Sequence, residues 1–188
     1  QDISNKLWIK KKIFFEKAEG KIIFVTCSPW LKLQAQKSAL LKNHRIESIP
    51  NPIDTNVFKK ISSENCRKLL GLNPLKKYIL FGAMNIHDPR KGFSYLLEAL
   101  KTVKDKCSEN IEVILFGKSK HPIFLPLPVN SFSFVHSTEK LVQLFNASDV
   151  YVHPSLEDNL PNIIMVSMAC GTPVVAFNTG GISSMIDH

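Results

Sequence analysis

An α/β fold, built on a parallel sheet with helices on both faces, is what this 188-residue sequence predicts. Two observations carry that expectation. From Tyr78 onward, short apolar runs alternate with helical stretches of ten or more residues, the pattern of right-handed crossovers joining parallel strands. The runs also open into loops holding Gly, Pro, Asp, Asn and cations, where open parallel sheets bind ligands. Composition removes the main alternatives. A chain 44% hydrophobic and 21% charged is too apolar for disorder. No apolar run approaches the roughly 20 residues of a membrane span.

Residues 7–19 mix apolar side chains with Lys10, Lys11, Lys12 and Lys17 in a predicted helix ended by Gly20. KIIFVT at 21–26 reads as a short buried strand. Ser28 is a good N-cap and Pro29 suits the first helical position, so residues 30–41 form a helix with Leu33 and Leu40 on one side. Residues 46–49 are a second apolar stretch. Pro50-Asn51-Pro52 continues neither a helix nor a central strand and marks the predicted domain boundary. A short helix at 64–70 precedes the alternation: strand 78–82, helix 92–106, strand 112–117, short strand 132–135, helix 138–146, strand 150–153, helix 162–170 and strand 173–177. The result is a Rossmann-like layer. Residues 122–128 (PIFLPLP) form a Pro-punctuated loop, and no internal repeat is present.

The net charge of +8 is unevenly placed. Residues 1–60 hold 12 Lys and Arg against 5 Asp and Glu, whereas residues 61–188 hold 12 against 11. The nearly neutral remainder argues against a nucleic-acid groove, and no nucleic-acid partner is expected. Cys27, Cys66, Cys107 and Cys170 lie far apart, with no C-x-x-C pair and no His at zinc-ligand spacing. They are expected as buried small apolar residues, in a reducing compartment. Gln1 opens the sequence without a signal-peptide pattern, so the chain is expected to start inside a longer protein.

Three strand-end loops hold the candidate chemistry. Residues 82–92 bring Arg90 and Lys91 to a helix start, where unpaired N–H groups favour phosphate. Residues 154–162 bring Glu157, Asp158 and Asn159 to another helix start, and the short Asp158 and Asn159 side chains suit sugar or ribose hydroxyls. Gly180-Gly181 would let backbone approach the ligand closely. Together these features suggest a phosphorylated, hydroxyl-rich ligand. Each alone has an ordinary counterpart: a solvated cation pair, a capping turn, a tight turn. His87, His136 and His153 are expected as structural or loop residues, since nothing pairs them with a nucleophile. The G-x-G-x-x-G fingerprint is missing after the strand at 78–82, which counts against a nicotinamide enzyme.

Read together, IPNPIDTNVF at 49–58, ILFGAMNIHDPRKGFSYLLEAL at 79–100, residues 113–117, and residues 147–187 with SDVYVHPSLEDNLPN, MACGTPVVAFNTGG and ISSMID resemble glycosyltransferase family 4, the retaining, nucleotide-sugar-dependent GT-B enzymes, especially those of bacterial polysaccharide assembly. That resemblance implies residues 1–50 as the tail of an N-terminal, acceptor-side domain. It implies residues 51–188 as an incomplete C-terminal donor-binding domain, the truncated half of a GT-B fold. The family's diphosphate-binding Lys matches Lys91, while its partner Arg, usually several residues earlier, is the adjacent Arg90. The turn that cradles phosphates and donor sugar matches Asp158, Asn159, Leu160 and Pro161, with Glu157 beside it. Lys91 and Asp158 are the implied catalytic residues.

The E-x7-E signature is altered. Its first acid corresponds to Asp158 and its second, which usually bonds the ribose hydroxyls, to Val166. The following family Ala is Ser167. The resemblance implies a UDP- or GDP-sugar donor and a saccharide or lipid-linked acceptor held by the missing N-terminal domain. No cofactor is expected, nor a metal ion, since no D-x-D motif lies near the site. Hexose transfer with retention is the expected reaction, the isolated chain being inactive. The alternative is a non-catalytic nucleotide-sugar-binding or scaffold remnant. A cytoplasmic protein is expected; Trp8, Ile9, Phe14 and Phe15 interleave with the lysines of the first helix, a pattern with two readings, a solvated helix face, which is preferred, and peripheral contact with the inner face of the membrane.

Overall fold

The structure, a computed structural model, describes residues 2–107, 110–119, 122–133 and 135–186. A first group comprises helix α1 (Ile3–Lys17), strand β1 (Ile23–Thr26), helix α2 (Pro29–Lys37) and strand β2 (Arg45–Ser48), with β1 and β2 paired in parallel. The segment with Pro50-Asn51-Pro52 leads to α3 (Ser63–Leu69), then β3 (Lys77–Asn85), α4 (Phe93–Lys106), β4 (Ile111–Lys118) and β5 (Val129–Phe132). There follow α5 (Thr138–Ala147), β6 (Val150–His153), α6 (Asn162–Ala169) and β7 (Val174–Ala176). Five parallel strands lie in the order β5-β4-β3-β6-β7, so the chain reverses its direction of travel across the sheet between β3 and β6.

Alternation along the strands feeds two cores. Tyr78, Leu80, Ile114 and Phe116 face one side with Phe145, Tyr151 and Ile164 from the later elements. Phe81, Val113 and Leu115 face the other, against Leu96 and Leu100 of α4. The period of two is that of a strand buried on both faces. Arg67 locks the edge of this layer: its guanidinium donates to the carbonyls of Ala147 (2.9 Å), Pro74 (3.0 Å) and Lys76 (3.2 Å) and to Asp149 Oδ2 (2.8 Å).

Several boundaries differ from expectation. β3 runs past Gly82 to Asn85, because Ala83 still pairs with Gly117 and Asn85 with Lys118 across a register shift. The loop that follows is correspondingly shorter. α2 stops at Lys37, since the Ser38 backbone turns extended, and so Leu40 is not helical. β5 lies three residues earlier than the expected 132–135, paired with β4 over Val129–Phe132, and Phe134 falls outside the described residues. Asp187 of the ISSMID stretch does as well. Cys66 and Cys170 are buried, but Cys27 is half-buried and Cys107 exposed, and all four are free. α1 buries no residue, and Trp8, Ile9 and Phe14 are exposed on it. Among the described residues no helix is long and apolar enough to cross a membrane.

Candidate functional site

The carboxyl ends of β3 and β6 diverge at the point where strand order reverses, the crevice in which open α/β sheets hold ligands. The loops after these two strands meet there. Asp88 caps a single 3-10 turn, Pro89–Lys91, accepting the Arg90 N–H at 3.0 Å. Gly92 then takes a left-handed φ of 66° and starts α4. A Cβ at Gly92 would overlap the Pro154 carbonyl, so the loop after β3 lies directly on the loop after β6. The Leu156 N–H donates to the Arg90 carbonyl at 2.8 Å and fastens the two together.

This docking brings Lys91 Nζ within 2.7 Å of Asp158 Oδ2. His153, the last residue of β6, donates from Nε2 to the same oxygen at 3.2 Å, and its Nδ1 is hydrogen-bonded to the Tyr151 hydroxyl at 2.8 Å. An ionised carboxylate only accepts, so the His153 proton that faces Asp158 is on Nε2. Burial works to raise the Asp158 carboxyl, but hydrogen bonds from His153 and Lys91, with their charges, prevail and hold it at about 2. Burial, then the Asp158 charge, pushes the Tyr151 phenol up. Arg90 is occupied differently. It grips Asp88 through Nε (3.2 Å) and NH2 (2.8 Å), and that hydrogen bond first of all holds the Asp88 carboxyl below the usual carboxylate range.

The helix starts carry a second signal. α1, α2, α3 and α5 are capped by the side chains of Asp2, Ser28, Ser62 and Ser137. α4 and α6, begun by Gly92 and Pro161, have no side-chain cap. Their first-turn N–H groups thus keep the donor capacity and partial positive charge that suit an anion. α6 begins at one open cavity of about 600 Å³, lined among others by Arg90, Lys91, His153, Asp158, Pro161 and Val166, so the turn just before α4 meets it as well. Among the described residues, no group of three or more His, Cys, Asp or Glu is gathered for a metal ion.

Not every residue singled out in the sequence joins that wall. Glu157 is exposed, and neither it nor Leu160 lines the cavity. Asn159 faces the other way: Oδ1 accepts from Ser28 Oγ and Nδ2 donates to Cys27 Sγ at 2.9 Å, both just past β1. The glycine pair is explained by backbone rather than ligand. A Cβ at Gly180 would strike the Asp158 carbonyl, and one at Gly181 the Asn159 carbonyl. His153 is the residue sequence reasoning passed over. Its signal was position, at the carboxyl end of a strand and five residues before an acid.

The family model described as glycosyl transferases group 1 matches residues 76–188, more than half of the chain. The chain belongs to the glycosyl transferases group 1 family. An uncharacterized glycosyltransferase of Haemophilus influenzae is 26% identical over 180 residues, 90% of this chain and 48% of that protein. Sucrose-phosphate synthase of Thermosynechococcus elongatus superposes with a TM-score of 0.77 at 21% identity, covering 100% of this chain and 47% of the other. Anabaena HepE, solved in complex with UDP-glucose, superposes at 0.66 with 22% identity, covering 96% and 51%. These likenesses show the Rossmann-like GT-B fold. The chain spans about half the length of each of these proteins.

Proposed function

We propose that this group 1 glycosyltransferase chain, of the family 4 type, forms the donor side of an enzyme that moves a hexose from a nucleoside diphosphate to a saccharide or lipid-linked acceptor with retention. Residues 51–188 hold the donor, and residues 1–50 are the edge of the acceptor side. One observation carries the reading: Lys91, one residue before the uncapped start of α4, and the uncapped start of α6 line one cavity at the sheet's switch point. HepE, of like fold, was solved with UDP-glucose, which supports a donor of the same class.

Lys91 and the positive end of α4 stabilise the departing diphosphate as the bond from C1 to the phosphate oxygen breaks. The acceptor oxygen bonds C1 on the same face, and its proton passes to the leaving phosphate. Asp158 keeps Lys91 and His153 in place, with Oδ1 taking part in neither bond and left to accept a sugar hydroxyl. Cations and backbone N–H groups carry the charge, so no metal ion or other cofactor is required. Turnover belongs to the whole protein, working in the cytoplasm at the membrane's inner face, where the lysines of α1 and its exposed Trp8 and Phe14 suit an anionic lipid surface.

Calorimetric titration with UDP-glucose and GDP-mannose tests the donor site. Binding that is lost in Lys91→Ala is the expected result; no binding of either at about 1 mM sinks the assignment. Val166 favours a second reading, a binder without turnover, because the buried wall of α6 offers no hydrogen-bond acceptor there. Donor consumption by the whole protein in the presence of acceptor lipid decides between them.

A further inference from the structure

The cavity beside Lys91 has two unlike halves. Asp88, Arg90, Lys91, His153 and Asp158 make its polar half. Phe116, Val135, Leu141, Ile163 and Val166 line the other, and these residues belong to the main core or pack against it. α6 runs from one half to the other: Asn162 is its first residue, and Val166 lies one turn on, about 6 Å along the axis.

The lining side chains with a carboxylate or amide oxygen are Asn85, Asp88, Asp158 and Asn162, none of them in the apolar half; each already accepts a bond, and Asp158 Oδ1 faces the donor sugar in the reading above. Asp158 accepts from Lys91 and His153, and Asp88 from Arg90. Asn85 Oδ1 accepts the His87 N–H at 3.1 Å, and Asn162 Oδ1 accepts from Asn51 Nδ2 at 3.0 Å. Val166, only 6% exposed, offers an aliphatic surface. A ribose entering that half brings two hydroxyl groups that lose water and need acceptors. A 2′-deoxyribose brings one fewer, and its CH₂ is suited to the same wall.

Building on the donor-site reading above, we infer that Val166 makes this a site for 2′-deoxynucleoside diphosphates, which bind at least as tightly as their ribose counterparts. The charged half takes the diphosphate in either case, so the discrimination is confined to the apolar wall made by Ile163 and Val166 of α6 with Leu141 of α5.

Matched pairs test this directly: UDP against 2′-deoxy-UDP, and GDP against 2′-deoxy-GDP, titrated into the unaltered chain at constant salt. For whichever base binds, the expected 2′-deoxy Kd equals or falls below the ribose Kd. A ribose form tighter by more than about threefold overturns the inference and leaves the donor site standing. No binding of any of the four at about 10 mM overturns both. Val166→Glu is expected to shift the ratio toward the ribose form by about fivefold or more. Val166→Thr keeps the β-branched shape should Glu disturb folding, and a ratio unmoved in both variants removes Val166 from the role.

Discussion

Lys91 Nζ and Asp158 Oδ2 stand 2.7 Å apart, on loops that leave adjacent strands in opposite directions of travel across the sheet. The pair therefore closes the crevice as well as pointing a cation at it. Asp158 has a folded pKa of about 2, below its usual value. Its contribution to stability is therefore fully present above the unfolded value, near 4, and is lost as pH falls from there through about 2. Asp158→Asn is expected to cost about 2 kcal/mol at pH 7. Urea unfolding should show that gap shrinking below pH 4; a gap independent of pH would mean the carboxylate is not what the pair stabilises.

The two neighbouring cations should not behave alike. Lys91 is half-buried against Asp158, whereas the Arg90 side chain is 71% exposed and already clamped by Asp88. Truncating Lys91 to Ala should weaken UDP binding by roughly tenfold to a hundredfold, the loss of one charged hydrogen bond. Arg90→Ala should weaken it only about threefold, because an exposed cation is screened by solvent. Titrations at one salt concentration compare them; a larger effect at Arg90 would reverse the roles.

Gly92 offers a test that leaves charge unchanged. Its φ of 66° and its contact with the Pro154 carbonyl both exclude a Cβ. Gly92→Ala should destabilise the fold by about 2 kcal/mol or more. Because the loop carrying Lys91 must lift from Pro154, nucleotide affinity should fall too, even where the variant is fully folded by circular dichroism. Native affinity in the variant would show that the docking of the two loops is not needed for binding.

The parallel sheet was legible because its strands are apolar runs bounded by helices, and β6 falls on the expected residues, Val150–His153. The end of β3 was not, since Ala83, Met84 and Asn85 lack β-branched residues and their pairing depends on β4 lying alongside. Lys91 and Asp158 were readable from local motifs at helix starts and Val166 only through the family resemblance, and all three line one cavity. The partners of His153 and Asn159 were not legible, for a shared reason: Asp158 with Tyr151 in one case and Cys27 with Ser28 in the other are set by chain packing. Spacing along the sequence carries no record of that. The absent caps of α4 and α6 are informative only once the other four helices are seen to be capped.

Arg67 separates stability from binding. Its guanidinium serves three carbonyls and Asp149 while only 9% of the residue is exposed, far from Lys91 in the fold. Arg67→Met removes every one of those donors and should cost about 3 kcal/mol or more. Nucleotide Kd, measured below the variant's unfolding transition, should stay within about twofold of the parent.

The contact from Asn159 to Cys27 and Ser28 ties the turn that carries Asp158 to the group of elements around β1 and β2. Ser28 is committed twice, since its hydroxyl also caps α2 by accepting the Leu31 N–H at 3.1 Å. Ser28→Ala therefore loses a cap and the Asn159 bond together, whereas Asn159→Ala loses only the bond and the Cys27 contact. A double-mutant cycle separates the two effects, because the capping cost cancels. A coupling of about 1 kcal/mol is expected in unfolding free energy. If the cycle closes with no coupling, the two groups of elements are held by packing alone, and the position of Asp158 is independent of the N-terminal group.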